Sequence, residues 1–177
     1  MRLRVIMLIV ASVCCLGCTD PDQPIYRRPN TTQRPPAHVS FDLRVVFTDS
    51  THTRAIMRAA EARVFDDRQQ TELRDTLTVE FFSQLTGKRL ARLSADSAVI
   101  DDRTKNMTAY GDVRIWSDSS RTSLQTSLLY WDQSRQRVST TAFVRIVSPT
   151  ETIQGTGFES DQYLTSYTMY RVQGEHR

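Results

Sequence analysis

The chain has 177 residues and 23 Lys plus Arg against 20 Asp plus Glu, a net charge of +3. That length suits one ordinary domain. The charges are interspersed, with no run of five or more basic residues, which excludes the basic stripe of a nucleic-acid binder. Three histidines, of which His38 lies in a proline-rich stretch and His176 next to the end, argue against a His-based triad or a metal centre. No Gly-x-Ser-x-Gly and no phosphate loop occurs, so neither an enzyme nor a cofactor is expected.

The N-terminus reads as a leader. Arg2 and Arg4 precede an apolar run from Val5 to Val13, shorter than the roughly 20 residues a spanning helix needs. Residues 1–17 have the build of a signal peptide. All three cysteines lie at Cys14, Cys15 and Cys18, so cleavage before Cys18 leaves one thiol and no internal disulfide. The Leu16-Gly17-Cys18 ending resembles a bacterial lipobox, which makes Cys18 the expected lipidation site. A signal peptide cut elsewhere and an uncleaved anchor are the alternatives. Residues 18–39 then form a tether, since Pro21, Pro24, Pro29, Pro35 and Pro36 are five of the chain's six prolines. Fully stretched it reaches up to ~70 Å.

From residue 40 to 177 the pattern is period two, the mark of half-buried strands. Leu43, Val45 and Phe47 alternate with polar or outward positions, as do Leu77, Val79 and Phe81, then Val113 and Ile115, then Val144 and Ile146. Arg54 to Arg68 is rich in Ala and could form a short helix. However, Ala60–Asp66 aligns with Ala95–Asp101 at an offset of 35, which favours a strand unit. Leu93–Asp101 recurs as Leu124–Asp132, and Gly111–Ile115 as Ala142–Ile146, both displaced by 31; Ile153–Asp161 is a weaker copy displaced by 29. About four copies of one unit (strand, Asp-bearing turn, strand) therefore stack on one another. Asp66-Asp67 and Asp101-Asp102 fall in turns, where such pairs serve turn geometry.

Each unit has one apolar face. Two sheets closing on that face would make a sealed sandwich core ~10 Å thick. Two splayed sheets would leave an apolar trough. Alternation alone does not separate the two. A regular stack ends in unpaired strands, which aggregate unless another strand covers them, and which a partner of the same build can extend.

Several segments together resemble the LptC family of lipopolysaccharide-export proteins: Val45-Val46-Phe47-Thr48-Asp49, Ala59–Phe65, Leu93–Asp96, Ala109-Tyr110-Gly111-Asp112-Val113, Leu124–Asp132 and Ile153–Asp161. The resemblance spans about residues 40 to 174. It implies an all-β fold, an open twisted antiparallel β-jellyroll shaped like a folded leaf. It further implies a periplasmic protein at the inner membrane that accepts lipopolysaccharide from an ABC exporter with LptF/LptG-like subunits. The lipid would pass to an LptA-like bridge protein by edge-strand pairing. Many members carry an N-terminal transmembrane helix; here a lipid on Cys18 would stand in, leaving inner or outer membrane open. The expected groove residues are Phe81, Leu93, Val99, Val113, Ile115, Leu124, Leu128, Val144 and Ile146. The early strand near Leu43–Phe47 would face the exporter and the last, near Tyr167–Val172, the bridge. The alternative is an envelope lipoprotein that acts as an assembly scaffold.

Overall fold

The computed structural model describes residues 34–49 and 51–176. The leader, Cys18 and most of the tether lie outside the described residues. Ten strands follow one another: β1 (His38–Asp49), β2 (His52–Phe65), β3 (Gln70–Phe82), β4 (Arg89–Ala95), β5 (Ser97–Asp101), β6 (Met107–Ser117), β7 (Ser123–Asp132), β8 (Arg137–Val147), β9 (Thr152–Asp161) and β10 (Tyr167–His176). The Ala-rich stretch is strand β2. Its small residues are spaced to face inward on a pleat, and sheet packing overrides the helical preference of Ala.

All ten strands belong to one antiparallel sheet ordered β1-β2-β3-β4-β6-β7-β8-β9-β10, with β5 between β3 and β6. Among the described residues β1 and β10 each have a single strand neighbour, so they are the two edges of this sheet.

A crease divides the sheet into two leaves. On β3 the crease falls at Asp75 and Thr76, both with positive φ, and on β6 at Gly111-Asp112. On β8 it lies between Thr140 and Phe143, and on β9 at Gly157 (φ 75°). Between β4 and β5 it is the break at Asp96. There the backbone N–H donates to the Tyr110 carbonyl (3.2 Å), and the Asp96 carboxylate accepts from the Asp112 N–H (3.1 Å). Gly111 is required at this corner: its φ is 93°, and a Cβ would collide with the Asp96 carboxylate.

The buried residues step across the crease in two ways. On β2, β4–β5, β7 and β9 the step is three residues: Ala59 to Ala62, Ala95 to Ala98, Thr126 to Leu129, Gly155 to Phe158. On β3, β6 and β8 it is four: Leu73 to Leu77, Ala109 to Val113, Thr140 to Val144. A three-residue step reverses the inward phase, because pleat alternation has a period of two. The 31-residue repeat is thus a hairpin: out along one creased strand, around a turn, and back. Asp66, Asp101, Asp132 and Asp161 all stand where a strand meets the turn at the same end of the stack.

The two leaves share one buried cluster that includes Leu73, Leu77, Val113, Leu124, Val144, Ile146 and Phe158. Each such side chain removed from water contributes about 1.5–3 kcal/mol.

Candidate functional site

Between the leaves lies a cavity of about 870 Å³. Its floor and walls are apolar: Leu43 and Val45 from β1, Met57 from β2, Leu73 and Val79 from β3, Leu93 from β4, Ile100 from β5, Met107 and Ile115 from β6. Ala55 and Ala62 also line it. These small inward residues on β2 are a physical reason for the space: at Ala55 and Ala62 no large side chain reaches toward the opposite leaf.

Polar residues lie at the cavity's ends. One end carries Thr48, Asp49 and Arg54, with Arg54 paired to Asp49 at 3.5 Å. The other carries Asp102, Lys105, Gln133 and Gln136. Asp102 accepts a hydrogen bond from the Thr71 hydroxyl (3.0 Å). Such a space suits a ligand with an apolar body and a polar head.

Three aromatic rings form the wall toward β8–β10. Phe81 stands 6.4 Å from Trp131 and, edge-on, 6.4 Å from Tyr163. The Trp131 indole N–H donates to the Gln133 side-chain carbonyl (3.0 Å), which lets the ring be half-buried without an unpaired donor. Beyond these rings the interior is filled by Leu124, Leu129, Val144, Ile146 and Phe158, each at most 2% exposed.

The expected groove residues therefore separate. Phe81, Leu93 and Ile115 line the cavity. Val113, Leu124, Val144 and Ile146 point inward but pack in the filled interior. Val99 and Leu128 stand on the other face. Val99 shares a row with Glu72 and Thr108, and Leu128 pairs with exposed Tyr110. Extrapolating the alternation from Ala95 through Val99, or from Leu124 through Leu128, misses the three-residue step; Ala98, Ile100, Leu129 and Trp131 take the inward places. Met57, Ala55, Ala62 and Tyr163 were missed too. A run of inward Ala on β2 was the available signal.

The outer face of the same region is a ladder of ion pairs. Arg58 binds Glu80 (2.8 Å), Glu80 meets Arg89 (3.4 Å), and Arg89 binds Asp118 (2.7 Å). The hydrogen bond from Arg58 is the largest influence holding the Glu80 carboxyl below its usual range, and that from Arg89 does the same for Asp118. The described residues contain no group of three or more His, Cys, Asp or Glu placed to hold a metal, and no helix long and apolar enough to cross a membrane.

A single creased antiparallel sheet with open edges and an apolar cavity between its leaves defines an open β-jellyroll. Its sequence matches the family described as "Lipopolysaccharide-assembly, LptC-related" over residues 4–176. The chain belongs to that family and is, by that membership, a component of lipopolysaccharide transport. Among solved structures it is similar to LptH of Pseudomonas aeruginosa, described as the LptA-homologous periplasmic component of the lipopolysaccharide transport device. The TM-score is 0.51 at 14% identity, over 66% of this chain and 82% of that one, which establishes the common fold. No curated protein sequence matches the chain.

Proposed function

We propose that the chain is a periplasmic carrier that takes lipopolysaccharide from an LptF/LptG-like ABC exporter and hands it to an LptA-like bridge protein. The cavity carries this reading: its walls are apolar, its ends polar, and it lies beside the open edge strand β1. Each acyl methylene taken out of water contributes about 0.8 kcal/mol, while the sugar head stays at the wet end. Phe81, Leu93 and Ile115 contact the chains. No bond is made or broken, and the driving energy comes from the exporter's ATPase.

The two open edges are the docking strands. On β1, Val39, Phe41 (73% exposed), Val46 and Phe47 lie exposed on a strand with one strand neighbour among the described residues; on β10, Tyr170 and Val172 do. Both suit strand addition by a partner of the same build. A lipid on Cys18 holds the protein at the periplasmic side of the inner membrane, with residues 18–39 as tether.

Filling the cavity tests the reading. Ala55→Phe with Ala62→Phe should abolish most of the lipopolysaccharide that co-purifies with the protein, measured by mass spectrometry, while circular dichroism stays that of a folded sheet. Unchanged lipid in a folded double variant would refute the carrier role.

A further inference from the structure

The two polar ends of the cavity are not alike. At the β1–β2 turn the polar lining residues are Thr48, Asp49 and Arg54, and the one cation is already paired, Arg54 with Asp49 at 3.5 Å. At the opposite end the β5–β6 turn brings Asp102 and Lys105, and the β7–β8 turn brings Gln133 and Gln136. The β9–β10 turn adds Gln162, while its Leu164 is buried in the core.

The groups at this second end are held in place. The Gln133 N–H donates to the Asn106 side-chain carbonyl (3.0 Å), which fastens the β7–β8 turn to the β5–β6 turn. The Lys105 N–H donates to the Asp101 carbonyl (2.7 Å) and fixes the backbone from which that side chain leaves.

The same groups keep bonding capacity. The Gln133 side-chain carbonyl is taken by the Trp131 indole (3.0 Å), which leaves its amide NH₂ to donate. The Gln136 amide NH₂ donates to the Gln133 backbone carbonyl (2.8 Å), which leaves its own carbonyl to accept. Asp102 accepts from the Thr71 hydroxyl on both oxygens (3.0 Å each) and retains lone pairs. The Lys105 ammonium has no ion-pair or hydrogen-bond partner among the described residues.

Mixed amide donors, amide acceptors and a carboxylate suit hydroxyl groups, each of which both donates and accepts. The unpaired ammonium adds a point charge for a phosphate. Asp102 repels a bare anion, so the set favours a phosphate carried on a hydroxyl-bearing ring. At the other end a phosphate would have to draw Arg54 away from Asp49.

We propose that the β5–β6 and β7–β8 turns form a head-group subsite for a phosphorylated sugar, with Lys105 on the phosphate and Gln133, Gln136 and Asp102 on hydroxyls, so that the ligand's chains run toward Arg54. The subsite rests on the carrier reading and adds to it a direction for the ligand and a residue that reads its phosphate.

The test uses the full chain. In cells, Gln133→p-benzoylphenylalanine and Thr48→p-benzoylphenylalanine place a photo-crosslinker at either end, in chains that melt like the parent. Lipopolysaccharide adducts are read by mass spectrometry after alkaline deacylation. A bond to the head leaves a sugar phosphate on the peptide; a bond to a chain leaves a fatty acid. Sugar at 133 and fatty acid at 48 are expected. Any other pairing overturns the subsite alone, and no adduct at either position overturns the carrier reading with it. Purified full chain supplies the second arm, with lipid A, the acylated sugar phosphate of lipopolysaccharide, as the probe. Lys105→Glu should weaken its binding about fivefold or more, while Lys105→Arg retains it and enzymatically dephosphorylated lipid A is bound alike by both variants and the parent. Lys88→Glu, away from the cavity, should leave binding unchanged. Equal loss for the two lipids would make Lys105 a packing residue. Equal loss from Lys88→Glu would make the effect one of net charge, and a larger loss from Arg54→Glu would put the phosphate at the other end. Displacement of lipid A by inorganic phosphate would make this a simple anion site. Each of these four results overturns the subsite.

Discussion

The two ends of this sheet are built from the same hairpin, yet one end is hollow and the other full. Under β1–β4 the inward residues include Ala55, Ala59 and Ala62 with Met57 between them; under β7–β9 they include Leu124, Leu129, Val144, Ile146 and Phe158. Both ends keep the pleat, the crease and the Asp-bearing turns. What differs most is the volume that β2 carries inward, since β3 and β4 bring Leu73, Leu77, Val79 and Leu93 to the same end. A repeated backbone therefore does not dictate whether an interior is a core or a container; side-chain size at a few inward places does.

The sharpest way to break this comparison is to delete volume at each end. Phe158→Ala in the full end should cost about 3–5 kcal/mol of stability. Met57→Ala, beside an existing void, should cost about 2 kcal/mol or less, because part of its surface has no packing partner to lose. Urea unfolding measures both, and equal losses would mean that the two ends are packed alike. Adding volume should give the reverse contrast. Ala109→Leu, at a fully buried site away from the cavity, should cost about 1–3 kcal/mol through overpacking. Ala55→Leu should be close to neutral.

The crease can be probed at Gly111→Ala, where a positive φ and the Asp96 carboxylate both exclude a side chain; a loss of about 1–3 kcal/mol is expected. Acid should then act on the turns of both ends. Hydrogen bonds from Thr104 depress the Asp101 carboxyl, and the Ser134 hydroxyl is the main cause at Asp132. At Asp161, burial pushes the carboxyl up, but the donors of Thr165, Tyr163 and Ser166 outweigh it and leave it lowered. A folded pKa below the unfolded one gives stability that is fully present above about pH 4 and is lost as pH falls through the depressed values. Asp161→Asn should flatten that acid dependence in a pH series of thermal melts. The smallest effect belongs to the outer ladder: Arg89→Ala should change stability by about 0–1 kcal/mol, and less at high salt.

Much of the fold was legible because strand alternation is a direct imprint of a half-buried pleat. Leu43, Leu77, Val79, Val113, Ile115, Val144 and Ile146 are all inward, as their spacing indicates. The repeated Asp residues stand where the strands meet their turns, Asp66 in the turn itself and Asp101, Asp132 and Asp161 as the last residues of their strands. The site was less legible. Val99 and Leu128 were assigned to the inner face because a period of two was carried across the crease, where three-residue steps reverse it. The choice between sealed core and trough had no single answer, since the interior is one at one end and the other at the opposite end. Leu164 left only a faint trace, a leucine in an otherwise polar turn, and its burial depends on contacts distant in sequence.

The crease also bears on how such a chain tolerates changes in length. An extra residue in the middle of a leaf would send every later side chain on that strand to the wrong face. Placed beside Ser127, the same insertion would turn the step from Thr126 to the next inward residue from three into four, the spacing that β6 and β8 already use on either side. The fold line is thus a joint where the reading frame of the pleat can be reset, whereas the unequal spacings of 35, 31 and 29 between hairpin copies arise across the β3–β4, β6–β7 and β8–β9 connections, since the steps at the fold line are the same in every copy.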